Sequence, residues 1–283
     1  MNDALLRIAV TGITGRMGKK IIQCIVKGEK KFSQKIILGA AITRSNASIC
    51  GMDVGKLIKT NTLGITVTDS LELVKNDFDV LVDFTAPSIS MEYLKFCVHN
   101  NKNIVIGTTG FNKTHEHFIM NASQKIGIVF SSNFSIGIAL ISRLLHKITH
   151  TIGDNSDISI VETHHNKKSD IPSGTALMMQ NTIVNALRST RSNKIMDRNV
   201  DYTTYSSESS SDRDILIHSI RAGNIIGEHT ILFIGPEERL EITHKASDRT
   251  IFARGALHSA IWLGYDKIGL FDIGDTLGIN SLL

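Results

Sequence analysis

The densest polar stretch of the chain runs from Glu162 to Ala176 and reads E-T-H-H-N-K-K-S-D-I-P-S-G-T-A. Two imidazoles, His164 and His165, stand just before two ammonium groups, Lys167 and Lys168. Imidazole is the side chain that exchanges a proton near neutrality, and a lysine beside it supplies a fixed cation. Together they suit an anionic substrate that also takes up a proton. Pro172 interrupts regular structure. Ser173 suits a helix N-cap, so a helix is expected to open at Gly174 with N–H groups able to receive a carboxylate. A solvated basic loop is the plainer reading of the same residues. Zinc fits poorly: His164 and His165 are adjacent and would face opposite ways on a strand. No HExxH or Cys/His quartet accompanies them.

A second chemical signal lies near the start. Ile8–Gly18 reads I-A-V-T-G-I-T-G-R-M-G, an apolar strand, a tight turn and a helix start, with glycines spaced G-x-x-G-x-x-G. Glycine lets the backbone approach a pyrophosphate, and a helix N-terminus offers unpaired N–H groups and a favourable dipole. Thr11 and Thr14 can add hydroxyls and Arg16 a cation, although Arg16 also suits a solvated helix start. An ordinary βα turn gives the same glycines; the position between strand and helix is what points to a dinucleotide. Val82–Ser88 and Gly107–Phe111 end two later strands. Ligands of open α/β sheets sit outside such ends, so the three can share one crevice, though each alone also reads as a plain loop. Phe84 suits packing on a nicotinamide ring or in the core.

The surrounding pattern alternates. Strands are expected at Leu6–Gly12, Ile36–Ile42, Val80–Phe84, Asn103–Gly107 and Gly127–Phe130, with helices at Met17–Lys27, Ser90–Asn100 and Lys113–Lys125. Continuous apolar strands between helices imply a parallel sheet covered on both faces. After about Ser132 the pattern changes. Ile136–Ile148 and Gly174–Leu187 read as helices, Asp157–Glu162, Ile215–Ile220, Ile226–Ile234 and Glu241–His244 as strands, and Ser192–Asp214 as a polar, serine-rich loop. Strands without helices between them imply an antiparallel or mixed sheet. Arg249–Leu263 returns to helical spacing.

Composition narrows the class. The chain has 283 residues, 42% hydrophobic and 20% charged, an ordinary globular balance. Cys24, Cys50 and Cys97 are scattered and odd in number, which argues against a disulfide framework and for a reducing compartment. No apolar run reaches membrane-spanning length and the start lacks a signal-peptide pattern, so a cytoplasmic location is expected. A net charge of +4 and 6% aromatics are too little for a nucleic-acid surface.

These segments together resemble the dihydrodipicolinate reductase family. The match rests on V-T-G-I-T-G-R-M-G (10–18), V-D-F-T-A-P-S (82–88), G-T-T-G-F (107–111) and S-S-N-F-S-I-G (131–137). It continues through the 162–176 segment, I-R-A-G-N-I-I-G-E-H-T (220–230) and R-L-E-I-T-H-K-A-S-D-R (239–249). The resemblance implies an α/β chain: a Rossmann-type dinucleotide-binding domain over 1–132, then an α+β substrate-binding and tetramerisation domain with a mixed open sheet over 133–247. Residues 248–283 would return to the first domain. It implies reduction by NADH or NADPH of the cyclic dicarboxylate formed from 4-hydroxy-tetrahydrodipicolinate, giving tetrahydrodipicolinate for diaminopimelate and lysine synthesis. His164 would handle the proton and Lys168 would be the second catalytic residue. His165, Gly174 and Thr175 would touch the substrate. Gly12, Ile13, Thr14, Gly15, Arg16, Met17, Gly107, Thr108, Thr109, Ser131, Ser132, Asn133 and Phe134 would touch the cofactor. The family implies a homotetramer; the residues themselves, as argued for zinc, give no metal site.

Three departures stand out. Thr43 occupies a position often acidic in the family, Ser131–Ser132 replaces an Ala-Pro, and the 192–214 segment lacks glycine. The first bears on cofactor choice: without an acidic group to repel a 2′-phosphate, and with Arg44 next to it, the chain is expected to accept both cofactors and lean toward NADPH through Arg44. Two other functions compete. Another dinucleotide-dependent reductase of the aspartate pathway would use a cysteine nucleophile or a different lysine–aspartate arrangement. A non-catalytic NAD(P)-sensing module would need no His-His-Lys cluster.

Overall fold

The computed structural model describes residues 5–28, 35–192 and 215–279. Most of the serine-rich segment, from residue 193 to 214, lies outside the described residues. The first part of the chain alternates: β1 (Leu6–Val10), α1 (Arg16–Val26), β2 (Ile36–Ile42), α2 (Val54–Ile58), β3 (Val67–Thr68), β4 (Val80–Asp83), α3 (Pro87–His99), β5 (Asn103–Ile106), α4 (Lys113–Ala122) and β6 (Gly127–Phe130). The middle holds α5 (Ile136–Ile152), β7 (Asp157–His164), α6 (Gly174–Ser192), β8 (Leu216–Arg221), β9 (Glu228–Ile234) and β10 (Arg239–Lys245). The end adds α7 (Thr250–Leu263), β11 (Gly269–Phe271) and α8 (Ile273–Thr276). Two compact units result, Met1–Ile136 with Arg249–Leu282, and Gly137–Asp248.

The first unit is a parallel sheet of seven strands in the order β11-β6-β5-β4-β1-β2-β3. Every residue of β4 and β5 is buried, as expected for strands covered on both faces. Helix α1 turns Ile21, Ile22 and Ile25 inward. The returning helix α7 is built to lie close: Ala253, Ala256 and Ala260 are fully buried. A Cβ on Gly255 would stand 1.8 Å from the Phe134 carbonyl oxygen. Asn103 fastens the return, donating to Gly264 O at 2.8 Å and accepting from Gly127 N at 2.8 Å.

The second unit is a mixed four-stranded sheet, order β10-β9-β7-β8, with β7 parallel to β8 and antiparallel to β9. Burial along β7 alternates, so Ile158, Ile160, Glu162 and His164 share the covered face. Ile138, Ile141 and Leu145 of α5 and Met179 and Ile183 of α6 fill the core against it. The opposite face carries Leu216, Ile220 and Ile234, all exposed. No helix among the described residues is long and apolar enough to cross a membrane.

Candidate active site

The period-two pattern of β7 places a carboxylate and an imidazole on the buried face of a sheet. Glu162 is 0% exposed and His164 8%. A lone charge there would be costly, so it must be paired and hydrogen-bonded. Arg221, the register partner of His164 on β8, supplies the pairing. Its Nη1 donates to Glu162 Oε2 at 2.9 Å and its Nη2 to Oε1 at 2.7 Å. The Ser173 N–H donates to Oε1 at 3.2 Å, and His164 Nδ1 lies 2.5 Å from Oε2. Burial alone would push the Glu162 carboxyl up; hydrogen bonding, that of Arg221 foremost, outweighs it and brings the pKa down to about 2. Burial takes His164 below its ordinary value, against the hydrogen bond and charge of Glu162. His164 Nε2 has no hydrogen-bond partner among the described residues, nor is it one of their buried unpartnered atoms. A Cβ on Gly227 would stand 2.9 Å from Nε2, so glycine leaves that nitrogen its room.

The loop after β7 carries the remaining groups. His165 keeps a buried Nδ1 with no partner. Lys168 is held back toward β7 by its N–H, which donates to His165 O at 3.1 Å. Its ammonium clasps Asp170 at 2.8 and 2.7 Å. The cation is therefore half of an ion pair whose carboxylate partner is exposed. Ser173 caps α6, its Oγ accepting from Ala176 N at 3.2 Å. Gly174 opens the helix in clear space, with nothing within 4 Å of a Cβ. His229, opposite Glu162 on β9, puts Nε2 3.1 Å from Ser173 Oγ and meets the His164 ring edge-on at 5.1 Å. Burial, then the neighbouring His164, lowers His229 to about 4. An oriented imidazole, an exchangeable cation and an open helix start can bind a dianion and pass it a proton. Glu162, Arg221 and His229 carried no assigned role in the sequence reading. The signal for Glu162 was its parity: it shares a strand face with His164 and with the apolar Ile158 and Ile160.

The expected cofactor residues lie in the first unit, at the carboxyl edge of its sheet. Gly12 takes φ +60°, where a Cβ would meet Thr85 Cγ2 at 2.9 Å. Gly18 lets α1 close on the turn, since a Cβ there would stand 2.5 Å from Gly12 O. Helix α1 begins after an extended Gly15 with no side-chain cap, and Thr14, Gly15 and Arg16 are exposed. A close glycine turn and an uncapped helix start fit a pyrophosphate. Met17 is half-buried. Ile13 and Phe134 are buried, so their side chains belong to the core and only their backbone can face a ligand.

Thr11 corrects an expectation. Its hydroxyl does not face the turn but donates to the fully buried Asp83 at 2.6 Å. Thr85 Oγ1 at 2.7 Å, Thr108 Oγ1 at 3.2 Å and Ser90 Oγ donate to the same carboxylate. Asp83 thus ties the ends of β1, β4 and β5 together. The Phe84 ring lies over Gly107, where a Cβ would meet it at 2.1 Å, and 5.6 Å from Phe134. Thr109 is exposed and Ser132 is exposed. Ser131 Oγ accepts from Ile273 N at 3.5 Å and Asn133 Oδ1 from Ser135 N at 2.8 Å. At the end of β2, Thr43 is buried and Arg44 exposed. Asp69 Oδ2 accepts from Asn46 N at 3.1 Å, placing a carboxylate by this loop that sequence reading missed.

Comparison with known proteins finds relatives that span the whole chain. Residues 6–134 match the model of the dihydrodipicolinate reductase N-terminus, and residues 137–277 that of its C-terminus. A 4-hydroxy-tetrahydrodipicolinate reductase of Blochmanniella pennsylvanica (strain BPEN) is 72% identical, with 100% of both chains covered. That of Blochmanniella floridana is 50% identical over 97% of this chain and 100% of its own. Among solved structures, a dipicolinate-bound dihydrodipicolinate reductase from Paenisporosarcina sp. TG-14 superposes with a TM-score of 0.71 at 25% identity, covering 95% of this chain and 98% of that one. With both halves matched in order and relatives aligned end to end, the chain belongs to the dihydrodipicolinate reductase family.

Proposed function

We propose that the chain reduces the cyclic unsaturated dicarboxylate formed from 4-hydroxy-tetrahydrodipicolinate to tetrahydrodipicolinate, with the end of β7 and the loop after it handling the substrate. It is an NAD(P)H-dependent oxidoreductase of diaminopimelate and lysine synthesis, and on this proposal it works in the cytoplasm. The observation that carries the site assignment is the unpartnered His164 Nε2 beside Lys168 and the Ser173-capped start of α6.

When bound, the reduced nicotinamide supplies the hydride. Gly12, Thr14, Gly15 and Arg16 would hold its pyrophosphate at the start of α1, and the Gly107–Thr109 and Ser131–Phe134 turns would supply the remaining cofactor contacts. In the second unit Lys168 exchanges Asp170 for a substrate carboxylate. Gly174 and Thr175 receive the other carboxylate at the helix start. His165 adds a further substrate contact. His164 handles the proton at Nε2; the two carboxylates of the substrate favour its charged form and offset the lowering by burial. Lys168 stabilises the negative charge that grows as hydride arrives.

The test is oxidation of NADH and of NADPH, with and without freshly generated substrate. Oxidation that depends on substrate is expected; cofactor binding without turnover would replace this reading with the sensing module. The chain also assembles, on this proposal, as a homotetramer through the open face of the second sheet. The family resemblance and the exposed Leu216, Ile220 and Ile234 support it. A monomer by sedimentation equilibrium at micromolar concentration would refute it.

A further inference from the structure

We infer that Glu162 is a positioning residue that holds the neutral His164 ring as its Nδ1–H tautomer, so that Nε2 presents the lone pair that accepts a proton. The inference rests on the proposed role of His164 and goes beyond it by naming what sets the tautomer.

The geometry leaves Glu162 one role. An ionised carboxylate only accepts hydrogen bonds, so the nitrogen 2.5 Å from Oε2 must carry the hydrogen. The other tautomer would set a nitrogen lone pair against a carboxylate oxygen in a buried site. Glu162 cannot turn away, because Arg221 grips both its oxygens and Ser173 N–H donates to Oε1. Nor is a neutral carboxyl consistent with a bidentate guanidinium partner. Arg221 is itself anchored: its Nη1 donates to Ile220 O at 2.9 Å and its Nη2 to Asp170 O at 2.7 Å.

The ring has little freedom either. His229 stands edge-on at 5.1 Å, and Gly227 lies close beside Nε2 and Cδ2. A ring flip would place a carbon where Glu162 needs a donor. Among the described residues, the charged and titratable groups that act on the ring are Glu162 on its own strand, Arg221 on β8, His229 on β9 and Lys168 on the following loop. Among them Glu162 alone is an anion. The low pKa of Glu162, about 2, agrees with a carboxylate that stays ionised while the histidine titrates.

The direct test needs no substitution. Nitrogen-15 NMR of the full wild-type chain, above the His164 titration, should show a protonated Nδ1 and an unprotonated Nε2. The reverse pattern, or an averaged mixture of tautomers, would overturn the proposal. Glu162→Gln provides the kinetic test. It should lower kcat at least about tenfold, leave KM for NADPH within about twofold, and move the His164 limb of the pH profile to lower pH, because the favourable anion is gone. An unmoved limb in a folded variant would also overturn it. His164→Gln separates the two claims: if it kept wild-type turnover, the catalytic reading would fall, whereas the wrong tautomer in wild type would sink the Glu162 inference alone.

Discussion

Gly227→Ala tests the site through a residue that has no chemistry of its own. The added methyl would stand 2.9 Å from His164 Nε2 and 3.3 Å from Cδ2. Ordinary contact begins near 3.4 Å, so the ring would have to yield by about half an ångström. Its retreat is opposed by the 2.5 Å contact with Glu162 and by the His229 edge. Overpacking of this kind costs about 1–3 kcal/mol of stability. Misplacing a reacting group by up to about 1 Å can cost roughly a hundredfold in rate. The expected result is kcat reduced about ten- to a hundredfold. KM for NADH and NADPH should stay within about twofold, because the expected cofactor residues lie in the other unit. Steady-state kinetics at saturating cofactor, with a chemical-denaturation midpoint to register the strain, reads both quantities. If the variant is destabilised as expected yet keeps kcat within twofold, His164 Nε2 is not where the proton moves. A rise in cofactor KM equal to the loss in kcat would instead show a general loosening of the fold.

Lys168→Ala should lower kcat/KM by a few kcal/mol of transition-state stabilisation, on the order of a charged hydrogen bond, with cofactor affinity unchanged; near-normal kcat/KM removes it from the mechanism. Arg44→Ala should raise KM for NADPH more than for NADH, and the wild type should favour NADPH by about 1–2 kcal/mol, roughly ten- to thirtyfold, at low salt. Asp69 beside the same loop opposes that preference, and equal losses for both cofactors would clear Arg44 of the role. Acid should weaken the second unit through His229. Its native pKa of about 4 lies below the ordinary value of about 6.5, so the unfolded chain takes up a proton that the folded chain refuses. Stability is then full above about pH 6.5 and falls by about 3 kcal/mol by pH 4. Hydrogen-exchange protection of the β7 and β9 amides should drop over that window in wild type and less so in His229→Gln; equal slopes would exclude His229 as the cause.

Much of this layout was legible where apolar periodicity is long. Helix α1 lies within one residue of its expected span, and β2 and β6 coincide with theirs. The misses have local causes. β7 runs two residues past its expected end, because Thr163 and His164 look like loop but pair with Ile220 and Arg221. α3 starts at Pro87 rather than Ser90, since proline suits a first helical position that apolar spacing does not register. α2, β3, β11 and α8 span five, two, three and four residues, too few for a period to show. Within the site, residue types were readable and side-chain directions were not. Thr11 looked like a phosphate ligand because hydroxyls suit phosphate, yet its rotamer serves Asp83, 72 residues away. Spacing along the chain carries no trace of that contact.

The Lys168–Asp170 pair bears on whether this loop can do what is proposed for it. An ammonium already clasped by a carboxylate could look spent. Its partner, however, is 56% exposed, and exposed ion pairs contribute only about 0–1 kcal/mol. A substrate carboxylate can therefore displace Asp170 at small cost, returning Asp170 to water. The Glu162–Arg221 pair is the opposite case. Its carboxylate is fully buried and accepts from four N–H donors, so breaking it would strand a charge away from solvent. The two pairs divide the work by burial: the exposed one can open to admit an anion, while the buried one stays closed and keeps the His164 ring facing it.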